Sequence, residues 1–138
     1  MKTIAVIGAL DTKGPEFAFV KAEIEKRGHR ALVLNVAVIG EPAFAPDIPA
    51  EEIAEAGGVS LADLRAQSDR GQAIEVMTRG VAVVAERLFA EGRIDGVLGM
   101  GGSAGTIIGT SAMRALPLGV PKVMVTTLAS GDVKPYVG

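Results

Sequence analysis

Cysteine and tryptophan are absent from the 138 residues, and histidine and tyrosine appear once each. Without cysteine there is no disulfide framework, no thiolate zinc site and no cysteine nucleophile. A single imidazole, His29, leaves little for a histidine metal site or a catalytic triad. Excess charge is also missing, because a formal net charge of −2 provides no global field toward nucleic acid or an anionic membrane. Any polyanion site must therefore be local. Long apolar runs are lacking as well: the best candidate, Ala31 to Gly40 (ALVLNVAVIG), is far shorter than the ~18 residues of a membrane span and contains Asn35. The amino terminus, MKTIAVIGALDTKG, has an apolar run that stops at Asp11, short of the ~7 to 15 residues in the apolar core of a secretory signal. A soluble, cytoplasmic protein is expected.

What is present in quantity is glycine. Apolar residues at 49% and charged residues at 22% are ordinary for one globular domain. The 18 glycines among 138 residues are nearly twice the average share of ~7%. They are unevenly placed, with a dense group running from Gly96 through Gly99, Gly101, Gly102 and Gly105 to Gly109.

The hydrophobic pattern alternates between short apolar runs and helical periods. Thr3 to Ile7 is a nearly continuous apolar run closed by Gly8, which predicts a strand buried on both faces. Pro15 then occupies a first helical position, and Phe17, Val20 and Ile24 share one face before Gly28. Arg30 to Ile39 predicts a second strand and completes a β-α-β unit of the usual ~30 residues. Ile74, Met77, Val81, Val84 and Leu88 mark an amphipathic helix over Gln72 to Glu91. Asp95 to Met100 predicts a third strand, Thr106 to Leu116 a small-residue helix, and Val120 to Thr126 a fourth strand with Pro121 at its start. The expected fold is an α/β domain: a doubly wound, Rossmann-like parallel sheet of about four or more strands flanked by helices. No helix is predicted after the fourth strand, so residues 1–138 are expected to be part of a longer chain. Between the second strand and the long helix, residues 41–70 hold seven acids against Arg65 and Arg70, with three prolines and the pair Gly57-Gly58. This acidic excursion reads as a solvated segment with one or two short helices, or as a lid or partner surface.

In open parallel sheets ligands bind outside the carboxyl ends of the strands. Three exits meet there: Leu10-Asp11-Thr12-Lys13-Gly14, Gly99 to Thr106, and Thr126 to Gly131. They offer hydroxyls, bare backbone N–H groups and one lysine, and the helix that follows adds a partial positive charge. That chemistry suits phosphate. Asp11, the acid among these exits, is the candidate for holding Mg²⁺ beside phosphate oxygens, and an Asp side-chain turn explains it equally well. Thr12 or Ser103 as a helix cap, and Lys13 as a solvated side chain, stand as the plain alternatives.

Sharper templates fail. No Gly-Lys-Ser/Thr occurs, which excludes a P-loop. Gly99-x-Gly101-x-x-Ala104 matches a dinucleotide fingerprint, but no ribose-binding acid follows in VPKVMVTTLAS. Gly101-Gly102-Ser103-Ala104-Gly105 satisfies G-x-S-x-G, the nucleophile elbow of α/β-hydrolases. His29, however, precedes the serine and is expected at the opposite edge of the sheet.

DTKGPE (Asp11 to Glu16), GMGGSAGT (Gly99 to Thr106), AMRALPLGVPKVMVTTLASG (Ala112 to Gly131) and DVKPYVG (Asp132 to Gly138) resemble the ATP-binding family typified by the tomato mosaic virus resistance protein. The resemblance implies two α/β subdomains, of which this chain is most of the first, and it implies ATP as ligand. It carries phosphate contact onto Gly101, Gly102, Ser103, Gly105 and Thr106, and a supporting role onto Asp11, Thr12, Lys13, Gly14, Thr127, Ser130 and Gly131. Ala104 departs from the family, which usually has glycine there, so a requirement for positive φ at that position would weaken binding. The expected function is a nucleotide-binding module whose partners are the nucleotide, the missing C-terminal subdomain and a homo-oligomer, without nucleic acid or membrane. A hydrolase or phosphoryl-transfer enzyme using Ser103 or the phosphate loop, and an interaction scaffold built on residues 41–70, are the alternatives.

Overall fold

The computed structural model describes residues 1–130, so Gly131 and the DVKPYVG block lie outside the described residues. In chain order the elements are β1 (Thr3–Gly8), α1 (Gly14–Lys26), β2 (Arg30–Asn35), α2 (Ala50–Ala56), α3 (Leu61–Gln67), α4 (Arg70–Ala90), β3 (Gly96–Gly101), α5 (Ser103–Arg114) and β4 (Lys122–Thr126). A single turn of 3-10 helix, Thr127–Ser130, follows β4. The four strands form one parallel sheet in the order β2-β1-β3-β4. Helices lie on both faces, so the doubly wound, Rossmann-like expectation holds.

Successive residues of a strand point to opposite faces, and that period of two divides the core. Val6, Ala31 and Val33 face α1, where Phe17 is fully buried and Val20 and Ile24 pack beside it. Ala5, Ile7, Leu32, Leu34 and Val97 face the other way, onto a larger cluster with α2, α4 and α5. Its helical share includes Met77, Val81, Val84 and Leu88, the stripe read from the spacing in the sequence. No helix among the described residues is long and apolar enough to cross a membrane.

Two element boundaries and the burial of the excursion differ from expectation. Strand β2 ends at Asn35, although Val36 and Ala37 stay buried. The Asn35 side-chain oxygen accepts the N–H of Ala37 at 3.0 Å and turns the chain there. Helix α5 begins at Ser103, three residues earlier than predicted, so Ser103, Ala104 and Gly105 form its first turn instead of a loop. The acidic excursion contains the two short helices expected of it, but it is not a solvated appendage. Ile53, Ala54, Leu61 and Leu64 are buried in the larger core cluster. Before them, Asp47 and Ile48 fold back along the outer edge of β2: the Asp47 carboxylate accepts the Val33 N–H at 2.8 Å, and Ile48 bridges Leu34 in parallel.

Helices α2 and α4 meet at a backbone contact that only glycine permits. A Cβ at Gly80 would lie 1.9 Å from the carbonyl oxygen of Ile53, and one at Gly57 would lie 2.2 Å from that of Val76. Alanine normally gains about 1 kcal/mol over glycine inside a helix. At position 80 the clash outweighs that gain, and Gly80→Ala is expected to destabilise the protein by about 1 to 3 kcal/mol in urea unfolding. Gly71→Ala, near the start of the same helix with nothing closer than 3.5 Å, is expected to stabilise it by a few tenths of a kcal/mol to about 1 kcal/mol.

Candidate functional site

Strand order places the site. From β1 the chain leaves toward α1 on one face, and from β3 it leaves toward α5 on the other, so a crevice opens between these adjacent strands at their carboxyl ends. A cavity of about 760 Å³ occupies that crevice. Asp11, Thr12 and Lys13 line it from the β1 exit, and Gly101, Gly102, Ser103 and Gly105 from the β3 exit. Two of the three loops singled out in the sequence therefore share one cavity.

The glycines of the β3–α5 turn serve close packing. A Cβ at Gly101 would sit 3.0 Å from Gly105 Cα, and one at Gly99 would sit 2.9 Å from Met124 Sδ and 3.6 Å from Gly109 Cα. None of them has positive φ. Gly102 is the exception to crowding, since its nearest neighbour across the gap is Thr127 Oγ1 at 3.8 Å from an added Cβ. Ala104 lies within α5 and has helical backbone, so the departure at that position carries no conformational cost. The first helical bond runs from the Thr106 N–H to Gly102 O at 2.9 Å. The N–H groups of Ser103, Ala104 and Gly105 are therefore not claimed by the helix, and they stand at its positive end.

Thr106 is a correction to the expected phosphate contacts. It is fully buried, and its hydroxyl is shared between Gly102 O and Thr126 Oγ1. Thr126 Oγ1 in turn accepts the Leu128 N–H at 3.0 Å. These threonines sit beneath the turn and tie it to the end of β4.

On the β1 side, the Asp11 carboxylate accepts the N–H of the next residue, Thr12, at 2.7 Å. Lys13 is exposed at the start of α1 and makes no side-chain cap. Gly14 is buried away from the cavity, where an added Cβ would come within 2.4 Å of Ala43 Cβ. Asn35, 3% exposed, accepts the N–H groups of Leu10 and Ala37 through one oxygen and so joins the β1 and β2 exits. Thr127 lies beside Gly102 without lining the cavity, and the side chain of Ser130 is outside the described set. His29 accepts the Lys2 N–H at 3.1 Å at the amino-terminal edge of the sheet, as far from Ser103 as expected.

The lid reading of residues 41–70 named none of the residues that form the third wall. Leu64, Arg65, Ser68, Asp69 and Arg70, all from the end of the excursion, close the cavity opposite the turn. Arg65 Nε donates to Val38 O at 2.6 Å and so clamps the β2 exit. Ser68 ends α3 in the left-handed region at φ 50°, and Asp69 caps α4 by accepting the Gln72 N–H at 3.1 Å. The signal was the charge pattern itself, because these two arginines are the cations of an otherwise acidic segment. The rest of the lining is apolar and includes Val36, Val38, Ile39, Ile74, Met77 and Ile108. Among the described residues no group of three or more histidines or acids gathers to hold a metal.

Relatives with the same sequence pattern are longer proteins. A UPF0261 protein of Clostridium tetani is 52% identical over 137 residues, which is 99% of this chain and 34% of the relative. One from Rhizobium meliloti is 44% identical over 137 residues, covering 99% of this chain and 33% of the relative. The ToMV susceptible protein tm-1 of Solanum lycopersicum is 44% identical over 69 residues, half of this chain and 9% of the tomato protein. The chain thus spans about a third of the length of the bacterial relatives it matches. With residues 2–138 matching the N-terminal domain of the Uncharacterised protein family (UPF0261), the chain belongs to that family.

Proposed function

We propose that this domain binds a nucleotide, ATP accompanied by Mg²⁺, in the cavity between the β1 and β3 exits. One observation carries the reading: the unclaimed N–H groups at the start of α5 open onto the same cavity as Lys13, Arg65 and Arg70. Backbone donors at a helix terminus with cations opposite form a site for a polyphosphate. The volume of about 760 Å³ falls within the ~300 to 1,000 Å³ of small-molecule sites. The apolar wall of Val36, Val38, Ile74, Met77 and Ile108 suits the base. ATP as the particular nucleotide rests on the resemblance in the sequence.

Asp11 would hold Mg²⁺, with phosphate oxygens and water completing a coordination shell that needs only one or two protein carboxylates. When bound, the ion would offset phosphate charge. Lys13, Arg65 and Arg70 would orient the chain of phosphates, while Asn35 and the Thr106–Thr126 pair keep the loops in register.

The hydrolase reading draws less support. Ser103 is exposed at the first position of α5, but His29 lies at the far edge of the sheet. The scaffold reading keeps an acidic surface, with Glu41, Glu51, Glu55 and Asp63 exposed, although apolar side chains of the excursion such as Ile53 and Leu64 are spent in the core.

Calorimetry on the full-length protein with Mg-ATP is expected to give a binding isotherm that Gly102→Ala preserves and Gly102→Asp abolishes, since position 102 has room for a side chain but faces the phosphates. Equal binding by wild type and G102D would overturn the proposal. Arg65→Ala and Arg70→Ala are each expected to weaken binding roughly tenfold or more, the worth of a charge-assisted hydrogen bond. Ser103→Ala is expected to leave affinity within about threefold of wild type and any ester or ATP turnover unchanged, and loss of a measurable turnover on that substitution would favour the hydrolase.

A further inference from the structure

The two edges of the sheet are finished differently. Outside β2, Asp47 and Ile48 occupy the edge. Outside β4 no strand is paired among the described residues. The faces are equally unequal. Helix α5 covers β3 and β4 on one side, with Met124 packed into the larger cluster. On the other side α1 packs mainly on β1 and β2. There the register sets Leu98 beside Val123 and Met100 beside Val125, a block of four apolar side chains on adjacent strands. Val123 is 54% exposed and Val125 52%. Parallel strands are normally buried on both faces; Leu98 and Met100 pack partly against the α1-side cluster, but Val123 and Val125 lack a layer.

Helix α1 borders the gap with a matching flank. Ala18, Lys21, Ala22 and Glu25 line a hollow with Phe44 on one side of it. At 100° per residue Phe19 falls on the opposite flank, and its ring is 66% exposed.

We propose that in the full-length protein this face, centred on Val123 and Val125 with Leu98 and Met100 beside them, is covered by the chain that follows these 138 residues, packed alongside α1. Two observations select that occupant over a second copy. The bacterial relatives carry about two thirds of their length outside the matched region, which is ample for a covering layer. The chain also leaves β4 at the sheet being covered, so closure within one molecule costs little entropy compared with association of two. The next parallel strand, if added beyond β4 by a right-handed crossover, would pass on the α5 side, so the layer on the α1 side is a returning segment. Met100 also lines the cavity, whereas Val123 and Val125, on which this inference rests, do not.

The test uses the full-length protein with p-benzoylphenylalanine in place of Val125 and, separately, of Val123, and with Glu86 on the exposed face of α4 as the control position. Irradiation is expected to join positions 123 and 125 to peptides beyond residue 138 of the same chain, at monomer mass. Crosslinks between residues 1–138 of two chains, or yields no higher than at position 86, would overturn the proposal. A second measurement guards against disturbance by the probe: Val125→Asp in the full-length protein is expected to lower Tm by about 4 °C or more, as burial of an unpaired charge requires. An unchanged Tm would count against a covered face.

Discussion

The backbone of α5 lies almost against the backbone of β3, and much of the molecule follows from that approach. A Cβ at Gly101 would come within 3.0 Å of Gly105 Cα, and one at Gly99 within 3.6 Å of Gly109 Cα and 2.9 Å of Met124 Sδ, so the two backbones run in van der Waals contact. Contact this close fixes where α5 starts relative to the sheet edge. Thr106 then reaches across to Thr126 and locks the same helix to β4. The helix terminus, the exit of β3 and the exit of β4 therefore form one rigid corner, and the cavity is the space that corner leaves beside β1. The glycine excess is explained first by packing, and the exposed N–H groups are a by-product of helix placement.

The excursion between β2 and α4 plays two parts at once. Its apolar residues Ile53, Leu61 and Leu64 complete the core under α4, while the residues just after them, Arg65 to Arg70, form a wall of the cavity. Position in the wall is thus secured by burial a few residues away. The Arg65 bond to Val38 O adds a direct tie to the β2 exit, so three separate stretches of chain meet around one volume with fixed spacing.

Much of the fold was legible because its signals are periodic. Phe17, Val20 and Ile24 announced α1, and Met77, Val81, Val84 and Leu88 announced α4, since burial on one helical face leaves a repeat that neighbours do not blur. The start of α5 was hidden because Ser103, Ala104 and Gly105 have no apolar side chain to mark a face. The end of β2 was hidden because Val36 and Ala37 stay buried after the strand stops, and composition reports burial without reporting hydrogen bonds. For the site, strand exits were predictable from topology, whereas Arg65 and Arg70 stand 36 and 31 residues before Gly101 in sequence and reach the glycine turn only through the fold. Thr106 was misread for the opposite reason: a hydroxyl next to a glycine loop looks available until the third dimension buries it.

Asn35 shows how a buried group can shape the field of a neighbouring cavity by what it omits. Its one oxygen satisfies both Leu10 N–H and Ala37 N–H. An aspartate would accept the same pair with the same reach, yet it would install a desolvated negative charge at the joint between two loops that border the cavity. An amide provides the acceptor and withholds the charge. The region behind the loops stays electrically quiet, and the sign of the potential inside is left to Lys13, Arg65 and Arg70 against the two acids at the rim.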